Sequence, residues 1–363
     1  VREGAELCGK KKEQLMTVGK INVGIVGFGL SGTVFHAPFI HTHPGFKLDT
    51  IMTSRKEAVK LYPKAKITSE FEILLNDPGL DLIIICSPNE YHFDQAKQAL
   101  QAGKHVILEK PITPTAREAE ELFQLAKDTG KHLFPFQNRR WDGDFLTLKH
   151  ILKEGYLGEI LDFETHFDRY TPEVGRAAWR YNQTLAGGTL YDLGVHLIDQ
   201  AVMLFDKPEA VFCRLFNQRE NSVVDDSVDL KLIYPELNVT IKAGVFVREP
   251  GPRFSVHGTF GSYVKYGLDP QEARLRKGKL PGSSKWGEEP KKQWGLLHTE
   301  FKGKKMRGRY ETIPGNYMAF FDEVYETIEK DKKPVIKAEE VLTTLNIIEK
   351  ARESYCKKSV IPL

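Results

Sequence analysis

At 363 residues, 41% of them hydrophobic and 28% charged, the chain has the make-up of a globular protein and the length of about two domains. A net charge of +3 with both signs interspersed offers no field for nucleic acid or a membrane surface, and no apolar run approaches the ~20 residues that a bilayer span requires. The four cysteines, Cys8, Cys86, Cys213 and Cys356, are scattered without metal spacing, which suits a reducing cytoplasm and argues against disulfides or structural zinc.

Residues 1–19 are polar and aperiodic and read as a flexible or non-native lead, with Met16 a candidate start and no secretory signal. From Ile21, short β-rich runs alternate with amphipathic stretches: INVGIVG, a helix over 31–43, FKLDTIMT, DLIIICS, a helix over 91–102, HVILEK, TAREAEELFQLAKDTG and KHLFPFQN. Near-continuous apolar strands alternating with helices predict a parallel sheet covered on both faces, so residues 20–140 form a doubly wound α/β domain of Rossmann type. The first strand runs into Gly27, Phe28, Gly29, Leu30, Ser31 and Gly32, a GxGxxG turn opening a helix. In that context the glycines permit the tight turn, the approach of a pyrophosphate to backbone and close helix packing, so the turn is a dinucleotide site.

The second strand ends in Met52, Thr53, Ser54 and Arg55, where an NAD binder carries a carboxylate for the ribose hydroxyls. Asp49 lies four residues too early, whereas Ser54 and Arg55 suit a 2′-phosphate, so the pattern favours NADP(H) over NAD(H). Two later strand ends carry polar motifs: Ser87, Pro88, Asn89 and His92 after DLIIIC, and Glu109, Lys110 and Pro111 after HVIL. The carboxyl ends of the strands are where open parallel sheets bind ligands.

Beyond Trp141 the pattern changes. A helix over 142–154 and the strand EILDFETHFDRY precede an apolar helix over 187–205. Alternating runs then follow (EAVFCRLFNQ, SVDLKLIY, NVTIKAGVFV, RFSVHGT, GSYVKYG) and predict a large, mostly antiparallel open sheet in a second domain, 141–363. Residues 278–295 read as a long loop, and the basic run Lys302, Lys304, Lys305, Arg307, Arg309 as a solvated one. Helices over 315–330 and 338–356 close the chain.

GFGLSG, SPNEYH, EKP and YDLGVHLID occur in the order and approximate spacing of the Gfo/Idh/MocA oxidoreductase family, which the chain resembles over residues 20 to about 355. Longer stretches, GFGLSGTVFHAP, QNRRWDGDF and GTLYDLGVHLIDQ, are most similar to its NADP-dependent scyllo-inositol dehydrogenase branch. The resemblance implies a Rossmann domain followed by an α+β domain, with the active site in the cleft between them, and a homodimer or homotetramer. It places Lys110, Asp192 and His196 against the substrate, Ser87, Pro88, Asn89, His92 and Glu109 beside the cofactor, and Asn138 to Trp141 near nicotinamide and substrate. The Lys110–Pro111 bond is often cis in this motif.

Asp192 and His196 sit at i and i+4 and would share a helix face, the carboxylate orienting the imidazole and raising its pKa toward working pH. Removing a hydroxyl proton as hydride leaves carbon needs such a base, and His196 is the choice, with Lys110 stabilising charge on the same oxygen. Metal binding is not expected, since no third ligand accompanies the pair. Arg139, Trp141, Tyr170 and Trp179 suit a polyhydroxylated ring, through guanidinium hydrogen bonds and apolar stacking faces. The expected activity is therefore NAD(P)-dependent oxidation of a cyclic polyol or sugar CH–OH group. The alternatives are a dihydrodiol, aldose or xylose dehydrogenase, and a non-catalytic dinucleotide-binding sensor or repressor of the same fold.

Overall fold

The computed structural model describes residues 19–173, 186–220 and 222–363. Its first sheet is built from β1 (Ile21–Val26), β2 (Phe46–Met52), β3 (Lys66–Thr68), β4 (Leu82–Ile85), β5 (His105–Leu108) and β6 (Leu133–Pro135), in the order β3-β2-β1-β4-β5-β6. All its pairings are parallel. Helices cover both faces, which is why the four residues of β4, Leu82 to Ile85, are all 0% exposed. The order of strand addition reverses between β1 and β4, and a crevice at such a switch point, outside the strand carboxyl ends, is where this architecture binds ligands. The segment between β2 and β4 also holds two short helices, Glu57–Leu61 and Phe71–Asn76.

The second sheet comprises β7 (Ile160–Asp168), β8 (Ala210–Phe216), β9 (Ser227–Ile233), β10 (Asn238–Gly244), β11 (Phe254–Gly258), β12 (Gly261–Lys265), β13 (Gly295–Phe301), β14 (Lys304–Tyr310) and β15 (Ile361–Pro362). Their order is β14-β13-β12-β11-β7-β10-β9-β8-β15. Only β7 and β10 pair in parallel, so the sheet is mixed and mostly antiparallel. In β9, Val228, Leu230 and Leu232 are buried while Asp229 and Lys231 alternate outward, so one face is covered. The helices Val195–Phe205 and Ala338–Lys357 supply that cover through Leu197, Ile198, Ile347, Ile348 and Ala351.

Strands β3, β13 and β15 and the two short helices are additions to the sequence reading, and three further features depart from it. The basic run at 302–309 is largely strand β14, hydrogen-bonded to β13 and exposed on both faces, which is why no alternation marks it. The helix that carries Asp192 and His196 is not α-helical throughout: Leu190–Gly194 is a π-turn leading into Val195–Phe205. The helix Met318–Lys330 lies beyond the division at residue 140 yet buries Phe320, Phe321 and Val324 in the core of the first sheet. There Phe321 stacks on Phe39 at 4.9 Å and Phe320 meets Phe136 edge-on at 5.0 Å, fastening the two halves. Burying one such ring contributes roughly 1.5–3 kcal/mol.

Candidate active site

The three glycines of the turn answer to different constraints. Gly27 has φ +90°, and a Cβ there would meet the Cys86 carbonyl oxygen at 2.8 Å. At Gly32 a Cβ would lie 2.3 Å from the Gly27 carbonyl oxygen, so helix and strand touch only through glycine. Gly29 meets nothing within 4 Å, so it is the approach of something outside the chain that glycine leaves clear there. A dinucleotide pyrophosphate fits that space. Phe28 is buried edge-on against Tyr62 at 6.0 Å, which leaves its backbone to the turn, and Leu30 is exposed at the rim. The Ser31 hydroxyl turns inward and donates to Glu109.

Glu109 is a junction. Its Oε1 also faces His36 Nε2 at 2.8 Å, and its Oε2 accepts the Lys110 N–H at 3.1 Å. Burial would raise this carboxyl, but His36, Ser31 and Lys110 together hold it below its usual range. One anionic side chain thus joins the phosphate turn to the backbone of Lys110. His92 does related work: its Nδ1 lies 2.8 Å from the Pro111 carbonyl oxygen and its Nε2 3.0 Å from that of Ser87. It is fully buried and ties the two strand-end loops together, rather than standing at the surface of the crevice. Ser87 Oγ donates to Gln95, and Asn89 Nδ2 reaches the Ala186 carbonyl at 3.1 Å, joining the first domain to the segment that enters the π-turn. The Lys110–Pro111 bond is cis.

Just beyond β2, Ser54 and Arg55 are exposed, and Arg55 pairs with no carboxylate among the described residues. Asp49 is occupied by Lys47 at 2.8 Å and Lys66 at 3.3 Å.

Lys110 reaches across from β5 to the π-turn. Its Nζ donates to the Asp192 carbonyl oxygen at 2.8 Å and to Asp192 Oδ1 at 2.9 Å. The π-turn is held at its start by Asp225, whose Oδ2 accepts the Leu190 N–H at 2.7 Å; Gly188, at φ +95°, passes so close to that carboxylate that a Cβ would clash. The expected orientation of the imidazole by Asp192 is therefore corrected: the carboxylate turns to Lys110, and buried His196 Nδ1 has no hydrogen-bond partner among the described residues. Nor is the imidazole raised toward working pH. Burial, then the charges of Lys110 and Arg139, push it well below its usual range, with Asp192 only partly opposing them.

The NRRW segment serves the helix more than a ligand. Asn138, Arg140 and Trp141 are all buried. Arg140 holds Asp199 through Nε at 2.8 Å and Nη2 at 2.6 Å, and Gln200 Nε2 donates to the Arg139 carbonyl at 2.8 Å. Arg139 itself donates to Tyr317 Oη at 2.8 Å and to Glu272, and Trp141 packs edge-on against Phe320 at 5.6 Å. Arg139 and Trp141, expected against substrate, are thus committed to an ion pair and to core packing. Tyr170 is 43% exposed, with the Arg248 guanidinium 3.8 Å above its ring, and remains available. Trp179 lies outside the described residues. Sequence reasoning missed Asp199, Gln200, Asp225 and Arg253; only the first two carried a signal, as polar residues one turn beyond His196 on an apolar helix.

Two family models match the chain: oxidoreductase family, NAD-binding Rossmann fold, over residues 21–137, and oxidoreductase family, C-terminal alpha/beta domain, over 149–363. The chain belongs to the Gfo/Idh/MocA oxidoreductase family. It is 40% identical to scyllo-inositol 2-dehydrogenase (NADP(+)) IolW of Bacillus subtilis, over 95% of this chain and 97% of that one. Levoglucosan dehydrogenase of Pseudarthrobacter phenanthrenivorans is 29% identical over 53% of each chain. Among solved structures, the Bacillus subtilis oxidoreductase yvaA superposes with a TM-score of 0.90 at 39% identity, covering 95% of this chain and 99% of its own. This Gfo/Idh/MocA member is accordingly an NAD(P)-dependent dehydrogenase acting on CH–OH groups of a small molecule. Among the described residues no helix is long and apolar enough to cross a membrane.

Proposed function

We propose that the chain interconverts a ring hydroxyl of a cyclic polyol and the corresponding ketone with NADP(H), scyllo-inositol being the first substrate to test. The observation that carries this reading is the meeting of Lys110 from β5 with Asp192 from the second domain, at the strand ends of the sheet that bears the GxGxxG turn. The likeness to the inositol dehydrogenase supports the substrate class. A bound nicotinamide dinucleotide supplies the hydride acceptor and donor. Gly27, Gly29 and Gly32 would cradle its pyrophosphate, and Ser54 and Arg55 would take a 2′-phosphate.

Lys110, anchored by Asp192, has a remaining N–H to place on the reacting oxygen, where it offsets negative charge as the hydroxyl proton departs. His196, held neutral, accepts that proton. Tyr170 offers a face to the ring, and the uncovered face of the second sheet is the place for a partner subunit in a homodimer or homotetramer. Initial rates with the inositol isomers, glucose and xylose, each with NADP and with NAD, test the reading. Turnover of an inositol fastest with NADP supports it. Faster turnover of an aldose or of xylose moves the chain to the sugar dehydrogenases, and none with any polyol removes the assignment.

A further inference from the structure

Phe167, the last buried residue of β7, meets the His196 imidazole edge-on, with ring centroids 6.4 Å apart at 89°. The same phenyl ring carries two guanidiniums, Arg253 at 4.4 Å and Arg139 at 5.9 Å from its centroid. Arg253 is 2% exposed and firmly held: Nη1 donates to Thr165 Oγ1 and Nη2 to Gln200 Oε1, each at 2.6 Å. The guanidinium also lies 4.2 Å from the centroid of the Phe254 ring. Gln200, one turn beyond His196 on the same helix, also grips the Arg139 carbonyl, so one amide joins both cationic segments to the element that bears the imidazole.

The arrangement is costly for packing alone. Asp144, the carboxylate 3.6 Å from Arg253 Nε, is 0% exposed, and neither of its oxygens has a hydrogen-bond partner among the described residues. An apolar side chain would fill the same slot between two phenyl rings without burying a cation. What an apolar residue would not supply is a permanent charge, since a guanidinium does not lose its proton in a protein.

We propose that Arg253 is a positioning residue for His196: it fixes Phe167 as the wall on which the imidazole rests, and it keeps a positive charge behind the ring so that His196 waits as a neutral proton acceptor. This rests on the reading of His196 as the acceptor of the hydroxyl proton. The charged groups that act on the imidazole are Lys110 from the end of β5, Arg139 from the NRRW turn, Asp192 from the π-turn and Arg253 from the approach to β11. Burial acts first, and among the described residues three cations act in the same direction against one carboxylate.

The test is a pH titration of the histidine ring signals by NMR on the full chain, with His196 assigned by its loss in His196→Gln, alongside the pH profile of kcat/KM for scyllo-inositol with NADP. Arg253→Gln is expected to raise the His196 midpoint, and the acid limb of the profile, by roughly half a pH unit, whereas Arg253→Lys leaves both in place. Asp144→Asn with Arg253→Gln removes the buried pair together and gives the same direction if the single variant does not fold. In the wild type the His196 midpoint is expected to lie well below the usual imidazole value. A wild-type midpoint at the usual imidazole value overturns the proposal without any variant. An acid limb retained in His196→Gln sinks the proton-acceptor reading, and with it the purpose of Arg253. A limb lost in His196→Gln but unmoved when Arg253 is replaced sinks the inference about Arg253 alone.

Discussion

Lys110 Nζ donates to both the main-chain carbonyl and the carboxylate of Asp192, at 2.8 and 2.9 Å, across 82 residues of sequence. The two acceptors are not equivalent. Asp192→Asn keeps the carbonyl bond and so leaves the ammonium placed while removing its counter-charge, whereas Lys110→Ala removes the donor itself. Lys110→Ala is expected to lower kcat by about 10²–10⁴-fold and Asp192→Asn by about tenfold, with NADPH affinity within a few fold of wild type in both. Steady-state rates paired with NADPH fluorescence titration check this, and Lys110→Ala turning over at more than a tenth of the wild-type rate would remove Lys110 from the chemistry.

Gly29 and Gly32 separate ligand binding from folding within four residues. A Cβ at Gly29 enters open space, so Gly29→Ala is expected to fold with wild-type stability and to bind NADPH at least tenfold more weakly. A Cβ at Gly32 would sit 2.3 Å from a backbone oxygen that cannot give way, so Gly32→Ala is expected to lose about 1–3 kcal/mol of stability. Urea denaturation and NADPH titration on both variants decide; equal loss of stability in the two contradicts the distinction.

Arg55 is an exposed cation just beyond the end of β2, and Asp49 is spent on two lysines. Arg55→Ala is therefore expected to raise KM for NADP by about 10–100-fold and to leave KM for NAD within about threefold, because only the 2′-phosphate loses a partner. An equal rise for both cofactors would place Arg55 elsewhere in binding.

The parts of the site legible in the sequence are those whose physics is local. The GxGxxG turn needs only its own glycines, and Lys110 is located by the strand it ends. The pairing of Asp192 with Lys110 was hidden because it depends on docking of two domains, and the π-turn was hidden because its sequence is as apolar and regular as an α-helix. Arg139 and Trp141, with Arg140 between them, suit a substrate ring by residue type, since guanidinium and indole serve a sugar ring and a buried ion pair or core equally well. What decides between those roles is Asp199 and Glu272, which lie far away in sequence. Strand β14 escaped because alternation betrays a strand only when one face is buried.

Arg140 is almost fully buried and bidentate to Asp199, with Glu340 on its remaining nitrogen at 2.5 Å. Removing only the cation strands a carboxylate that burial already pushes toward its neutral form. Arg140→Met is expected to cost about 3–5 kcal/mol, and Arg140→Met with Asp199→Leu to recover most of it, because the pair together is worth little more than well-packed apolar atoms. Equilibrium denaturation of the single and double variants checks this; no recovery in the double variant would show that the helix needs the ion pair itself.

Glu272 connects stability to pH through Arg139. Burial alone would raise its carboxyl, but the Arg139 charge and hydrogen bond, with Arg276, bring it down from the usual 4.5 to about 2. A depressed pKa in the folded state means that the unfolded chain binds the proton more readily. The stabilisation is therefore complete above about pH 4.5 and is lost as pH falls toward about 2. It is on the order of 3 kcal/mol at neutral pH. Glu272→Gln removes this contribution, so the difference in stability from wild type is expected to be largest at pH 6–7 and to shrink steadily below about pH 4.5. Urea midpoints taken from about pH 7 down to about pH 3 test it. A difference that stays constant over that range would mean that Arg139 is held by Tyr317 and Asp142, with Glu272 adding no charge-dependent stability.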